Sequence, residues 1–352
     1  MPPQRVGPFT ILSVIGRGGI GTVYRARHQV TGALAAVKVL GPAPAMEATA
    51  ARRLAREYEV LRTLDHPYVV HVLEAGVAEG YSYLAMELVE GLDLRAYLSP
   101  ALDETAPVAL PPDEAPTGPD LSGSTGEPGP EAIRALAAMM DEPETEEVRF
   151  AAAPGTGDDP DAGPAEPLHL AAEALEALNR PARIARLRTA LSQVVDALGY
   201  LHGRGLVHRD LKPSNIMVDD LRRARIMDFG LVKASEGDAP DEVLTQTGRI
   251  VGTYRYMSPE QAQGHPVDGR SDLYSLGVIL YELLSGTPPF VARDPVALWR
   301  EILHVRPPPL ALVNPGVDPG LAVLTARLLE KDPARRPQTA GEVLESLRAS
   351  AP

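Results

Sequence analysis

Short apolar runs separated by turn residues characterise the first 90 residues of the chain. Residues 9–40 contain three apolar, β-branched runs divided by turns, which predicts three strands. Residues 46–64 repeat apolar positions at helical spacing, which predicts a helix that ends near Pro67. Residues 68–90 predict two further strands around a turn at Glu79–Gly80. The first part of the chain is therefore expected to be rich in strands.

The second half of the chain follows a helical pattern instead. It begins with residues 184–202, where apolar side chains recur three and four positions apart, at Leu187, Leu191, Val194, Val195 and Leu198. A strand-rich first part and a helix-rich second part predict a two-lobed α+β fold.

A segment with few apolar residues and many charges lies between these parts. Residues 100–166 contain 16 acidic and 2 basic side chains, so they carry a charge of −14 while the rest carries +1. They also contain 12 prolines and 7 glycines, a share near that of low-complexity disorder. Residues 131–140 and 168–178 have roughly helical spacing. The segment is either a solvated linker with transient helices or a regulatory or docking insert.

Composition excludes several classes of protein. The 352 residues include no cysteine, so disulfides, thiolate zinc sites and cysteine nucleophiles are excluded. No run of about 18 apolar residues is present, and the start MPPQRVGPFT lacks a signal-peptide core, so no membrane span is expected in this chain. A nearly neutral folded part without a basic stripe predicts no nucleic-acid partner. These features fit a reducing cytosol, and we expect a cytoplasmic location.

The turn IGRGGIGTVY places glycines in the spacing Gly16-x-Gly18-x-x-Gly21. Such glycines let a backbone approach phosphate, either in a dinucleotide-binding turn or in a loop over ATP, and a tight turn without ligand has the same pattern. In the dinucleotide case a helix follows and an acidic residue binds the ribose. Here strand-forming residues and an apolar strand carrying Lys38 follow, which argues against a dinucleotide site.

Three motifs follow this turn in a fixed order. The stretch His208-Arg-Asp-Leu-Lys-Pro-Ser-Asn215 is followed 13 residues later by Asp228-Phe-Gly, and Glu260 of Ser-Pro-Glu lies 32 residues after Asp228. Together with the glycine turn and Lys38, this set resembles the eukaryotic-type protein kinases, specifically the serine/threonine group found in bacteria.

The resemblance extends over about residues 9–99 and 181–348. It implies the two-lobed protein kinase fold, with a strand-rich N-lobe at residues 9–88 and a helical C-lobe at residues 89–348. Residues 100–180 would then be a disordered acidic insert within the C-lobe, at a surface loop where long insertions cost little stability.

The resemblance also implies an ATP site. Lys38 would bind the α- and β-phosphates, and Glu57 would hold Lys38 in place. Apolar side chains would enclose the adenine. Backbone groups of the hinge, residues 86–89, would bond its edge, and Asp93 would lie near the ribose. The residues expected to contact the nucleotide are Ile15, Gly16, Gly18, Gly19, Gly21, Val23, Ala36, Lys38, Met86, Glu87, Val89, Asp93, Met217 and Asp228.

A catalytic set follows from the same resemblance. Asp210 would orient the substrate hydroxyl and accept its proton, and Lys212 would stabilise the γ-phosphate in transit. Asn215 and Asp228 would bind Mg²⁺, a hard cation that prefers oxygen ligands. The expected catalytic residues are Asp210, Lys212, Asn215, Lys38 and Glu57.

Arg209, next to Asp210, indicates control by phosphorylation of the activation loop, because a buried arginine needs a counter-anion. Thr245 and Thr247 are the candidates, with Thr247 favoured, and the alternative is that both are ordinary polar loop residues. Thr253 resembles the substrate-facing threonine of the family.

Three structural contacts are implied as well. His208 would pack and bond backbone rather than act as a base. Asp272 would brace the catalytic loop from a buried helix, and Glu260 would pair with Arg336.

The sequence therefore predicts a serine/threonine protein kinase that uses ATP and Mg²⁺, acts on protein substrates and phosphorylates its own activation loop. A pseudokinase scaffold is disfavoured because the residues with chemical roles are all in place. A small-molecule phosphotransferase of related fold is disfavoured because such enzymes generally lack the segment between Asp228 and Glu260. A partner of the acidic insert is not identifiable from the sequence.

Overall fold

The computed structural model describes residues 3–17, 21–40, 61–78, 81–100, 171–227, 254–292 and 294–350. The first six strands are β1 (Arg5–Val6), β2 (Phe9–Arg17), β3 (Gly21–His28), β4 (Leu34–Leu40), β5 (Val72–Ala78) and β6 (Tyr81–Glu87). They form one antiparallel sheet in the order β1-β2-β3-β4-β6-β5.

The two faces of this sheet have different roles, because successive side chains of a strand point in opposite directions. On β4, Val37 and Val39 lie in an apolar core with Phe9 and Tyr83. Ala36 lies in a separate apolar cluster formed with Val70 and Met86. One face of the sheet thus closes the N-lobe core, and the other is available for a site.

A second, smaller sheet lies in the C-terminal part. It consists of β7 (Gly91–Asp93), β8 (Ile216–Asp219) and β9 (Ala224–Ile226), in the order β7-β8-β9. Asp93 pairs with Met217, and Met217 pairs with Arg225, so these three residues form one row across the sheet.

The helices of the described residues follow the pattern of the sequence. They are α1 (Leu94–Tyr97), α2 (Ala172–Leu178), α3 (Pro181–His202), α4 (Pro259–Ala262), α5 (Gly269–Ser285), α6 (Pro295–His304), α7 (Leu310–Val313), α8 (Pro319–Leu328) and α9 (Ala340–Ala349).

Helix α5 is the centre of the C-lobe core. Every residue from Ser271 to Ser285 is buried, as expected of a helix that is apolar on nearly all sides. The side chain of Asp268 caps its N-terminus, and Gly286 ends it with a φ of 77°, a left-handed conformation that favours glycine.

The two lobes meet along β9. The N–H of Val70 donates to the carbonyl of Ile226 over 2.9 Å, and the N–H of Ile226 donates to the carbonyl of Tyr68 over 2.9 Å. The strand that precedes Asp228 is therefore bonded directly to the N-lobe residues just before β5.

Arg183 joins the two sides of the acidic segment. Its side chain is buried and donates to three carbonyl oxygens: Leu98 at 2.7 Å, Leu178 at 2.8 Å and Leu283 at 2.7 Å. Leu98 precedes the segment, Leu178 follows it, and Leu283 lies on α5. The chain therefore leaves and re-enters the lobe at one bonded junction.

The predicted elements are confirmed where the structure describes them. Three strands lie within residues 9–40, two within 68–90, and α3 covers the helix predicted at 184–202. Helix α2 lies inside the stretch 168–178. The helices predicted at 46–64 and 131–140 fall mostly or wholly outside the described residues, and within the described parts no helix is long and apolar enough to cross a bilayer.

Glu260 pairs with Arg336, as predicted, in an almost fully buried bidentate contact. The guanidinium donates to Glu260 Oε1 over 2.7 Å and to Oε2 over 2.8 Å, and the Ser271 hydroxyl donates to Oε1 over 2.6 Å. Burial would raise the pKa of Glu260, but the hydrogen bonds and charge of Arg336 outweigh burial and hold this pKa below its usual value. The carboxylate is thus charged in the folded protein near neutral pH.

Replacing Arg336 by methionine should lower the free energy of unfolding by about 3–5 kcal/mol, because it leaves a buried carboxylate without its cation. The measurement is urea denaturation of wild type and Arg336→Met at pH 7. The difference between them should shrink as the pH falls, because a protonated Glu260 no longer needs the cation.

Arg335→Met is the matched control. The Arg335 side chain is exposed and lies 3.8 Å from Glu330, so its loss should change stability by about 0.5 kcal/mol or less. Equal effects of the two substitutions would contradict the role assigned to the buried pair.

Candidate active site

Asp272, on the buried helix α5, holds the loop that contains Asp210. Its Oδ2 accepts the N–H of His208 over 2.8 Å, and its Oδ1 accepts the N–H of Arg209 over 2.8 Å. His202 Nε2 lies 2.8 Å from the same Oδ2. The side chain of Asp272 is fully buried, so these contacts must satisfy its charge. The predicted brace is confirmed.

The backbone at Arg209 is fixed from both sides. Arg209 has a φ of 66°, a left-handed conformation that costs a non-glycine residue about 1–3 kcal/mol. Asp272 binds its N–H, and Gln261 Nε2 donates to its carbonyl over 2.8 Å. The surrounding contacts thus hold the backbone in an unfavourable conformation at Arg209. This conformation sets the orientation of the next residue, Asp210.

Asp210, Lys212 and Asn215 converge within this loop. Asn215 Nδ2 donates to the Asp210 carbonyl over 2.8 Å and to Asp210 Oδ2 over 3.2 Å. Lys212 Nζ lies 3.5 Å from the same carboxylate. Lys212 and Asn215 are 6% and 4% exposed, so the loop presents a nearly dry, preorganised set of charged and polar groups.

The side chain of Asn215 fits a cation ligand. Its nitrogen is committed to Asp210, so its carbonyl oxygen Oδ1 is the atom left to bind a hard cation. The N–H of Met227 donates to the Asn215 carbonyl over 2.9 Å, which brings the residue before Asp228 to the same loop. Asp228 itself lies outside the described residues. Within the described ranges, no three His, Asp or Glu side chains form a metal-binding group.

Apolar residues expected at the adenine are brought together. Ala36 and Met86 are cross-strand partners, and both lie in a buried cluster against which Val23 and Val89 pack. Met217 pairs with Asp93 across the second sheet. The side chain of Asp93 also caps α1 by accepting the N–H of Ala96 over 2.7 Å. Four of the apolar residues expected at the adenine thus share one cluster, and Met217 lies on the second sheet.

The glycine turn is described in part. Gly16 pairs with Val23, and Gly21 pairs with Leu40, while Ile15 is half exposed. Lys38 is the cross-strand partner of Val23 on one side and of Leu84 on the other. The remaining sequence-predicted residues lie outside the described residues: Gly18, Gly19, Glu57, Thr245, Thr247 and Thr253.

Glu87 is bonded at the hinge by backbone and side chain. Its N–H donates to the carbonyl of His71 over 2.9 Å. Its carboxylate forms an ion pair with Arg225 of β9. Sequence reasoning missed Arg225, because no motif or spacing relates it to a residue 138 positions earlier.

The chain after residue 253 is anchored by a second contact that the sequence did not reveal. Arg95 donates to Glu282 Oε1 over 2.6 Å and to the Tyr256 hydroxyl over 3.0 Å, and Tyr256 donates to Glu282 Oε2 over 2.6 Å. Burial, together with the nearby charge of Glu282, raises the pKa of Tyr256 far above its usual value, so the hydroxyl remains a donor. This network ties the chain before Ser258 to α1 and α5.

His208 has a structural role, as predicted. The residue is fully buried, and its Nε2 lies 3.1 Å from the carbonyl of Met227. Through this contact the ring links the loop that contains Asp210 to the end of β9.

Comparisons with known proteins agree with this geometry. The sequence model of the family described as protein tyrosine and serine/threonine kinase matches residues 9–345. The chain is 32% identical over 349 residues to the serine/threonine-protein kinase pkn2 of Myxococcus xanthus, covering 98% of this chain and 32% of that protein. It is 29% identical over 350 residues to PknB of Mycobacterium leprae, covering 98% and 43%. The chain thus spans about a third to less than half of these relatives.

Solved structures show the same fold. The kinase domain of PknI from Mycobacterium tuberculosis has a TM-score of 0.57 and 24% sequence identity, with 99% of this chain and 98% of that chain covered. A strand-rich N-lobe and a helical C-lobe are therefore shown both by the strands and helices above and by this likeness.

Replacing Asp272 by asparagine should lower kcat for phosphate transfer on the order of 10²-fold, because an amide N–H₂ would face the backbone donors that the carboxylate accepts. Initial rates at saturating ATP measure this change. Asp268→Asn, at the exposed N-cap of the same helix, keeps a capping side chain and should retain near-normal kcat. A normal kcat in Asp272→Asn would show that the loop does not depend on this carboxylate.

Family membership implies the use of ATP and a divalent metal ion, and the described part of the site fits both. Asn215 offers an oxygen toward a cation, and the apolar cluster around Ala36 and Met86 offers a surface for a flat base. The ordered motifs, the two-lobed fold and the match over residues 9–345 lead to one conclusion: the chain belongs to the protein kinase family, among the eukaryotic-type serine/threonine kinases of bacteria.

Proposed function

We propose that this chain transfers the γ-phosphate of ATP to serine and threonine hydroxyls of protein substrates. The observation that carries the proposal is the convergence of Asp210, Lys212 and Asn215 on a loop fixed by Asp272. Phosphoryl transfer needs positioning and charge stabilisation more than covalent chemistry, and this loop supplies both.

Asp210 is the proposed base. A carboxylate oxygen of Asp210 orients the incoming hydroxyl and accepts its proton as the new bond to phosphorus forms. Asn215 holds the carboxylate from one side, and Lys212 Nζ lies 3.5 Å from Asp210 Oδ2. The ammonium of Lys212 is placed to stabilise negative charge on the transferred group, and its low exposure strengthens that interaction.

Mg²⁺ is the proposed metal, with Asn215 and Asp228 as its protein ligands. Mg²⁺ prefers oxygen ligands and usually arrives with the nucleotide, and the amide oxygen of Asn215 suits it. The bound ion would neutralise charge on the phosphates. Lys38, held by Glu57, is proposed to bind the α- and β-phosphates, with the backbone of Gly16, Gly18, Gly19 and Gly21 close to them.

The adenine is proposed to lie between the two lobes. Val23 and Ala36 cover it from above, Met217 forms its floor, and Met86 closes its inner end. Two observations support these positions: Val23, Ala36 and Met86 belong to one apolar cluster of the first sheet, and Met217 lies on β8 opposite Asp93. Ile15 and Val89 flank the entrance, the carbonyl of Glu87 receives the base edge, and Asp93 lies near the ribose.

Control by phosphorylation of the activation loop is part of the proposal. Arg209 adjoins Asp210, so a phosphate that pairs with Arg209 would act directly on the loop conformation. Thr247 is the preferred acceptor, with Thr245 as the alternative, and Thr253 is proposed to face the substrate. A cytoplasmic location and action on proteins rather than nucleic acids complete the proposal.

Replacing Asp210 by asparagine should lower transfer at least about 10²-fold, because the amide cannot accept the hydroxyl proton. The assay incubates purified chain with γ-labelled ATP, Mg²⁺ and a protein substrate, followed by phosphoamino-acid analysis. Labelled serine or threonine is expected from wild type. Peptide mapping should place autophosphorylation on Thr247 or Thr245.

Asp220→Asn is the matched control, since this exposed acidic residue lies ten positions further along the same region and should leave the rate unchanged. A wild type that labels only a small metabolite would favour a small-molecule phosphotransferase. A wild type that labels nothing would favour a non-catalytic scaffold. Either result would refute the proposed activity.

A further inference from the structure

Arg225 lies at the junction of the hinge and the strand that leads to Asp228. It belongs to β9, and its side chain is only 11% exposed. Its guanidinium forms an ion pair with the carboxylate of Glu87, at the end of β6. The contact thus joins the last residue of the N-lobe sheet to the small sheet of the C-lobe.

A second carboxylate shares the charge of Arg225. Asp219 lies 3.8 Å from Arg225 Nε and is itself held by Arg223, whose N–H and Nε donate to it over 2.8 and 2.9 Å. Arg225 Nε is buried and makes no hydrogen bond within the described part of the chain. The directed contact of Arg225 is therefore the one to Glu87, and Asp219 contributes at longer range.

The position of Arg225 in the sheet gives this contact a consequence. Asp93, Met217 and Arg225 form one row across β7, β8 and β9, so their side chains project from the same face. Met217 and Asp93 are the residues proposed for the adenine floor and the ribose. Glu87 is the residue whose carbonyl is proposed to receive the adenine edge.

Backbone bonds keep the other end of β9 in place. Ile226, next to Arg225, bonds to both Tyr68 and Val70, and Met227 donates to the carbonyl of Asn215. β9 is thus a rigid base relative to the catalytic loop, and Arg225 extends that base to the hinge. The Arg225 side chain is 11% and the Glu87 side chain 40% exposed, so this partly buried ion pair adds little net stability, but it holds the two strands in a fixed relative position.

We propose that Arg225 is a positioning residue for the nucleotide: by binding Glu87, it sets the distance between the hinge backbone and the row of Asp93 and Met217. The inference rests on the proposed function, because the ligand that benefits is ATP. We expect a change in nucleotide affinity with little change in the rate of the chemical step. The side chains that hold Asp210 are those of Asn215 and Lys212, and Arg225 takes no part in these contacts.

The test compares Arg225→Met with wild type. KM for ATP should rise on the order of tenfold, while kcat at saturating ATP should stay within about twofold. This pattern is expected when a substitution weakens binding of the ground state and of the transition state equally. KM for the protein substrate should not change. A direct readout is the dissociation constant of a fluorescent ATP analogue, which should rise by the same factor as KM.

Four further variants separate positioning from general damage. Arg223 binds Asp219, whereas the ion pair with Glu87 is formed by Arg225. Arg223→Met therefore removes a cation from Asp219 but leaves the contact with Glu87, and nucleotide affinity should be unchanged. Glu87→Gln should reproduce the effect of Arg225→Met, and the double variant should be no worse than either single one. Arg225→Lys keeps the charge without the planar fork, so it should restore part of the affinity and would test the role even if the methionine variant were unstable.

Several results would overturn the proposal. These are an unchanged nucleotide affinity in Arg225→Met, an equal loss in Arg223→Met, or additive losses in the double variant. A rise in kcat on removal of Arg225 would also contradict it, because the pair would then restrain the hinge. If wild type itself failed to bind the ATP analogue, the proposed function would fail together with this inference. Normal binding by wild type with no effect of Arg225→Met would refute the positioning role alone.

Discussion

The structure depends most on one buried carboxylate, that of Asp272. It accepts hydrogen bonds from two consecutive backbone N–H groups, those of His208 and Arg209, and it contacts His202. It belongs to helix α5, in which every residue from Ser271 to Ser285 is buried. A charge in such a place is tolerated only if its hydrogen bonds are complete. The energy of those bonds stabilises a left-handed residue that would otherwise relax, and the relaxed loop would not present Asp210 in the same direction. The core helix thus fixes the strained turn at Arg209, and that turn fixes the orientation of Asp210.

Other buried charges in the C-lobe follow the same principle. Arg183 binds three carbonyls from chain segments far apart in sequence, and Arg336 binds the Glu260 carboxylate together with carbonyls of the chain around it. Such buried charged groups contribute little net stability compared with apolar replacements. They do favour one packing arrangement of the chain, because any other arrangement would leave a buried charge without its partner. A site for phosphoryl transfer benefits from this rigidity, because its groups must keep their places while charge moves between oxygens. Arg225 extends the same kind of contact from the small sheet to the hinge.

The sequence predicted those features that depend on local hydrophobic patterns and on motifs in a fixed order. The strands of residues 9–40 and 68–90, helix α3, the brace by Asp272 and the pair of Glu260 with Arg336 were all confirmed. It did not predict Arg225 with Glu87 or Arg95 with Glu282, because these partners are 138 and 187 positions apart and belong to no motif. Long-range pairs of surface-type residues become visible only when the fold brings them together. The roles of the predicted site residues remain sequence-based predictions, and the structure does not describe Glu57, Asp228 or the threonines near 245–253.

The most direct test of the central claim is a crystal structure of the chain with a non-hydrolysable ATP analogue and Mg²⁺. We expect the triphosphate between Lys38 and Asn215, the metal bound by the Asn215 amide oxygen and the Asp228 carboxylate, and Asp210 facing the terminal phosphate. Arg209 should keep its positive φ, and Asp272 should keep both backbone N–H groups. A nucleotide bound away from this cleft, or an Asp210 carboxylate turned from the terminal phosphate while Asp272 remains bonded as described, would contradict it.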